Sequence, residues 1–277
     1  LEAEILIPEI LFLLIGCCSK LDNPVEIKMI LKHQFFKILG LLEKKVTSWQ
    51  GKGCGSISID LEVKTLQQLL SRKPKIFIDI GGNVGLYTAK MKALNPDLEV
   101  HIFEPSPVNI IKLQERFQKD PLISILPFAL SDEKKEGTLF SDKAGSGLAS
   151  LTKRKLDHFH IAFDHEEKVK CLRFEDYWHE NLSSKPIDCV KMDVEGHELD
   201  VLKGFGKALD ATQLIQFEFG GCNIDTRTYF QDFWYFFSDH HFTLYRVTPL
   251  GAQHIPHYKE IDEFFSTTNY IAVRKND

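Results

Sequence analysis

From Lys75 onward, short β-rich runs alternate with helical stretches, a rhythm that confines the chain to βαβ units around a mostly parallel sheet. The runs are KIFIDI, LEVHIFE, ISILPFAL, IDCVKMD and LIQFEF, with helical segments expected at 84–94, 107–117, 173–178 and 198–203. Between 131 and 170 the rhythm breaks. EGTLF and KVKCL read there as short strands around a polar loop, a natural place for substrate contacts. The end of the chain differs again: an aromatic-rich helix, TYFQDFWYFFSDH, precedes FTLYRV and NYIAVRK. Those two strands can pair as an antiparallel edge, which an all-parallel dinucleotide fold lacks.

Upstream, residues 1–70 read as an N-terminal helical segment and 71–277 as the α/β domain. In PVEIKMILKHQFFKILGLLEKKV the spacing of Ile27, Ile30, Leu31, Phe35, Ile38, Leu41 and Leu42 gives one apolar face. GKGCGSIS is a loop by composition, and LEVKTLQQLL resumes helical spacing. The apolar stretch from Ile10 to Cys18 is far shorter than the roughly 20 residues that cross a bilayer. Glu2, Glu4, Glu9 and Pro8 stand where a secretory signal would be basic and uninterrupted. A cytoplasmic protein is expected, with no membrane span and with the N-terminal helices available for a docking or homo-oligomer contact.

A hydrophobic content of 43% over 277 residues supports a proper core, and a formal net charge of −5 offers no field for nucleic acid or an anionic membrane. The partner expected is a small molecule or a neutral polymer. Six scattered cysteines show no zinc-ligand rhythm, so free thiols in a reducing compartment are expected.

The run DIGGNVG places Asp79, Gly81, Gly82, Asn83 and Gly85 at the carboxyl end of the first strand. Glycines there permit positive φ and close approach of a ligand, although close helix-to-sheet packing would use them equally well. Glu104 shifts the balance. It closes the second run, ahead of Pro105, where a carboxylate accepts hydrogen bonds from ribose hydroxyls; capping the next helix is the bland alternative. Asp79, two residues before the first glycine, would oppose a pyrophosphate and suits a cationic amino-acid end. A sulfonium methyl donor, S-adenosylmethionine, fits that chemistry better than NAD.

A second constellation, IDCVKMDVEGHELDVLKGF, loads the end of another apolar strand with Lys191, Asp193, Glu195, His197 and Glu198. Ligands sit at the carboxyl ends of strands in open α/β sheets, so Asp193 and Glu195 are kept for a site. Glu198 is assigned to the helix dipole.

The blocks DIGGNVGLYT, FEPSP, ALSD, KMDVEGHELDVLKG and TNYIAV together resemble the FkbM-type S-adenosylmethionine-dependent methyltransferases, over roughly Ile76 to Val273. The resemblance implies a Rossmann-like seven-strand methyltransferase sheet, mostly parallel with an antiparallel last strand, and O-methylation of sugars or similar hydroxyls. It carries Asp79, Gly81, Asn83, Gly85 and Tyr87 to the donor turn, and Glu104 to the ribose. Ala129, Leu130 and Asp132 fall in the segment that edges the adenine, and Lys191, Asp193 and Glu195 in the block beside the methyl. The first 70 residues match no motif.

Methyl transfer to oxygen needs in-line alignment and a group to take the hydroxyl proton. Asp193 or Glu195 is expected in that role, with Glu218 at the end of QFEF as a further candidate and His158, His160 and His197 in reserve. A divalent metal on Asp193, Glu195 or Glu218 ranks below a metal-free site. An NAD-linked oxidoreductase and a non-catalytic donor-binding scaffold are the rival readings. The aromatics from Tyr229 to Phe237 read as core before they read as a sugar-stacking platform.

Overall fold

The computed structural model describes residues 24–53, 55 and 58–275, so the apolar stretch Ile10 to Cys18 lies outside the described residues. Contacts divide the chain into two units, Leu1–Gln50 and Gly51–Asp277. The smaller contains the long helix α1 (Pro24–Trp49). Along α1, Phe35, Phe36, Leu39, Val46 and Trp49 are exposed. No helix among the described residues is long and apolar enough to cross a membrane. Cys171, Cys189 and Cys222 are free thiols, as expected; Cys17, Cys18 and Cys54 lie outside the described residues.

The larger unit begins with α2 (Ile59–Leu69), β1 (Ile76–Ile80), α3 (Leu86–Leu94), β2 (Glu99–Phe103), α4 (Pro107–Phe117) and β3 (Ile123–Leu126). There follow β4 (Ala129–Leu130), β5 (Lys135–Ser141), β6 (His165–Leu172), α5 (Phe174–Asn181), β7 (Ile187–Met192), α6 (Glu198–Gly204) and β8 (Thr212–Phe219). The chain closes with α7 (Cys222–Thr226), α8 (Phe230–Asp239), β9 (Phe242–Thr248), β10 (Gly251–Ile255) and β11 (Thr268–Arg274).

The central sheet has the order β10-β9-β11-β8-β7-β1-β2-β3. From β3 to β8 the neighbours pair in parallel, and β11 runs antiparallel to both β8 and β9. The last strand is thus antiparallel and pairs with the FTLYRV strand β9, as expected, and it lies between β8 and β9 within the sheet. The edge is β10, an eighth strand that arises in the stretch read as a connection and pairs with β9. ISILPFAL also divides. Pro127 follows β3, and β4 joins β6 and β5 in a separate three-stranded sheet.

The boundary expected at residue 70 moves upstream. Val63 and Leu66 of α2 are fully buried in one core cluster with Phe77, Tyr87, Met91 and Leu113, so the apolar stripe of α2 is covered by the α/β unit. Phe77, Cys189 and Leu214 belong to this face, whereas Ile76, Ile78, Val190 and Phe217 pack on the other, as the two-residue period of a strand requires. Phe230, Phe233 and Phe237 of α8 are wholly buried among Phe217, Phe219 and Tyr270, which makes the aromatic run core.

The same parity positions the site. Two residues on from Phe77, Cys189 and Leu214 stand Asp79, Lys191 and Gln216, which are direct neighbours in register. One pleat further, Glu218 opposes Asn269. A row of polar side chains therefore crosses the carboxyl end of the sheet on the face that α2 and α3 cover.

Candidate active site

The turn after β1 closes through its glycines. Gly81 has φ +75°, and a Cβ there would meet the Asp193 carbonyl oxygen at 1.9 Å, so only glycine lets the ends of β1 and β7 approach. Gly85, with φ +77°, has a different job: its Cβ would meet the Phe117 and Leu113 side chains at 2.5 and 2.7 Å, a close helix contact. The Asn83 amide donates to Glu104 Oε2 at 2.8 Å, and the Ser106 amide donates to Glu104 Oε1 at 2.9 Å. Glu104 therefore ties the glycine turn to the start of α4, and burial raises its carboxyl to about 7 against those two bonds and one from the Asn109 side chain.

Two cavities open at the carboxyl edge of the sheet. The first, about 630 Å³, is lined by Glu104, Ala129, Leu130, Glu195 and His197 and by the loop residues Ser146, Gly147 and Leu151. The second, about 790 Å³, is lined by Glu62, Tyr87, Lys191, Glu218 and Asn269. Gly81, Asn83 and Asp193 line both.

Charge converges where the cavities meet. Lys191 Nζ donates to Asp193 at 2.9 Å. Burial alone would lower the Lys191 ammonium, but Asp193, Asp79 and Glu62 together hold it above its ordinary value. Glu195 adopts a left-handed φ of +53°. Arg154 donates to its carboxylate at 2.6 Å and reaches Asp225 at 3.3 Å, while Ser150 Oγ donates to the Glu195 carbonyl at 2.8 Å. Burial and the Asp193 charge still raise Glu195 to about 8. Glu218 is pushed well above the carboxylate range by burial and by Asp193, Glu195 and Glu198. Across the second cavity, Tyr87 donates to Gln216 Oε1 at 2.7 Å and Gln216 Nε2 donates to Glu62 at 2.6 Å. Burial raises Glu62 to about 7.

Asp79 lies within β1, wholly buried, accepts from Thr88 Oγ1 at 2.6 Å and lines neither cavity. Its influence passes to Lys191. A different observation now opposes a pyrophosphate. The Gly81 and Gly82 amides both donate to the Phe103 carbonyl, Gly85 donates to Gly82 and Asn83 to Glu104, so these amides are already spent.

Asp132 lines neither cavity. It accepts from Ser131 Oγ at 2.8 Å and Lys135 at 3.2 Å, and the ALSD segment contributes Ala129 and Leu130 in its place. Glu198 does more than serve the helix dipole. Fully buried, it accepts from the Val194 and Gly196 amides at 3.1 and 3.2 Å and staples the loop that carries Glu195. His197 borders the first cavity with Nε2 3.0 Å from Ser131 Oγ, whereas His158 and His160 are exposed and line neither. Glu62, Arg154, Gln216 and Asn269 were not anticipated. Gln216 and Asn269 carried a signal, a polar residue inside an apolar strand; Glu62 and Arg154 carried none.

The family described as Methyltransferase FkbM domain matches residues 79–270. The 2-O-methyltransferase NoeI of Sinorhizobium fredii is 26% identical over 167 residues, which cover 56% of this chain and 68% of NoeI. Methyltransferase 1 of Beauveria bassiana is 24% identical over 141 residues, 46% of this chain and 57% of that protein, so the chain spans little more than half its length. Among solved structures, precorrin-6y C5,15-methyltransferase of Geobacter metallireducens aligns with a TM-score of 0.41 at 12% identity, over 77% of this chain and 87% of that one. A SAM-dependent O-methyltransferase of Thermotoga maritima aligns at 0.38 and 11% identity, over 79% and 65%. Since the family match runs from the glycine turn at Asp79 to Tyr270 in the final strand, the chain belongs to the FkbM family of S-adenosylmethionine-dependent methyltransferases.

Proposed function

We propose that this methyltransferase delivers its methyl group to oxygen, on a hydroxyl of a sugar, glycan or other small hydroxylated metabolite. The meeting of two cavities at Gly81, Asn83 and Asp193 carries the reading. A donor held in one and an acceptor held in the other face each other there, and such pre-alignment is most of what an in-line displacement asks of a protein. NoeI is named a 2-O-methyltransferase, which supports oxygen as the receiving atom.

The residues fit the donor. Glu104 Oε1 and Oε2 each accept one amide and retain lone pairs for ribose hydroxyls. Ala129 and Leu130 give the base an apolar wall. The bound donor supplies an electrophilic methyl carbon on a sulfonium.

The chain's own groups supply the rest. Asp193, fixed by Lys191 and bordering both cavities, orients the acceptor hydroxyl and takes its proton. Glu62, Tyr87 and Asn269 line the acceptor side with hydrogen-bonding groups that suit a polyhydroxylated ligand. The loop that brings Ser146 to Leu151 over the first cavity is held down by Ser150 and Arg154 on Glu195, which restricts water. Methyl-labelled donor offered with a panel of glycans and small polyols should give base-stable ethers. Label recovered in amines or carboxyl esters alone would overturn oxygen as the acceptor.

A further inference from the structure

We propose that Glu195, Glu218 and Cys222 form a divalent-cation site of zinc-like chemistry between the two cavities. One carboxylate oxygen from each glutamate and the Cys222 Sγ all lie within 4.8 Å of one another. They arrive from three places: the loop after β7, the end of β8 and the first residue of α7. Gly196 permits the convergence. Its φ is +101°, and a Cβ there would press on Thr226 and the Cys222 backbone at 3.0–3.1 Å, so the Glu195 loop can close on α7 only with glycine at that point.

A second observation is independent of this clustering. Glu198 is wholly buried and its Oε2 has no hydrogen-bond partner; among the neighbouring charges, that of Glu198 acts most strongly on Cys222. The Glu218 side chain makes no hydrogen bond or ion pair among the described residues. The cations at hand are committed elsewhere: Lys191 to Asp193, and Arg154 to Glu195 Oε2 and Asp225. A proton or a divalent cation is what can offset that surplus of carboxyl groups.

Two carboxylate oxygens with one thiolate suit Zn²⁺ or Co²⁺ and disfavour Mg²⁺ and Ca²⁺, which prefer all-oxygen shells. Bond lengths of about 2.0–2.3 Å require the side chains to close in by about 1 Å. As the metal–sulfur bond forms, the Cys222 thiol releases its proton to solvent. Glu195 borders the first cavity and Glu218 the second, so a cation held by them would stand beside both cavities and would make an acceptor hydroxyl bound to it more acidic. That catalytic role rests on the O-methylation reading; the binding site itself does not. Cys222 meets Glu195 and Glu218 only in the fold, since nothing in the sequence joins them.

The test is cobalt titration of the chelator-stripped full chain, read by the near-ultraviolet thiolate-to-Co²⁺ absorption, with calorimetric binding of S-adenosylhomocysteine measured on the same sample. One equivalent of Co²⁺ should produce the band and Zn²⁺ should displace it. Cys222→Ser should abolish the band, and Glu218→Gln should weaken Co²⁺ at least tenfold, both with an unchanged circular dichroism spectrum. A wild-type protein without the band, or a Cys222→Ser protein that keeps it, overturns the site. S-adenosylhomocysteine binding without the band leaves the methyltransferase reading standing, and the band without that binding removes the acceptor role alone.

Discussion

The two sides of the candidate active site are built by opposite means. On the glycine-turn side, backbone geometry does the work: Gly81 lets two strand ends meet, and Glu104 is fixed by two amides. On the β7–β8 side, side-chain charge does it: Asp193, Glu195, Glu198 and Glu218 converge with Lys191 and Arg154 from segments far apart in the chain. A site fixed by backbone tolerates almost no change in shape, and its one carboxylate, Glu104, is itself held by amides. A site fixed by charge tolerates small changes in shape and responds to every missing partner.

The sharpest way to break that contrast is at Gly81. Gly81→Val adds a Cβ 1.9 Å from the Asp193 carbonyl at a positive φ. Donor binding should be lost, and the urea midpoint should report a destabilisation of roughly 2–4 kcal/mol. A folded variant that binds S-adenosylhomocysteine normally would mean that the turn is not shape-limited.

Glu104→Ala comes next. It removes charge-assisted bonds worth roughly 2–3 kcal/mol, so calorimetry should show S-adenosylhomocysteine affinity about 100-fold weaker. Because the Glu104 carboxyl sits at about 7, wild-type affinity should fall as pH drops through 7, and Glu104→Gln should flatten that profile. Stability should move the other way. A carboxyl raised above its unfolded value contributes stability that is complete below about 4.5 and lost as pH rises through 7.

On the charged side, Arg154→Ala leaves Glu195 and Asp225 unpaired, and thermal unfolding should register a loss of about 2 kcal/mol. Its kcat should fall more than its donor KM rises, since Glu104 and the turn are untouched. Tyr87→Phe removes a single buried hydrogen bond to Gln216 and should cost about 1 kcal/mol. Smallest of all, His158→Ala should change turnover by less than about twofold, because the ring is exposed and lines neither cavity.

The same contrast explains how far the sequence could be read. Parallel strands, the glycine turn and Glu104 follow from local periodicity and from short spacings, and these the chain displays openly. Asp79 shows what local reading omits: two residues before Gly81 is still inside β1, and its carboxylate is buried there. The charged side depends on pairings that no local window contains. Gln216 meets Glu62 across 154 positions, and Arg154 meets Glu195 across 41. Likewise β10 exists because β9 offers it a free edge, and α2 joins the α/β unit because its apolar stripe is covered there.

The structure of the complex with S-adenosylhomocysteine tests the division of labour between the two cavities most directly. The adenosine should lie against Glu104, Ala129 and Leu130, with the sulfur at the junction formed by Gly81, Asn83 and Asp193 and the second cavity open to an acceptor. Adenosine bound instead beside Glu62 and Lys191, with Glu104 free of the ribose, would contradict it.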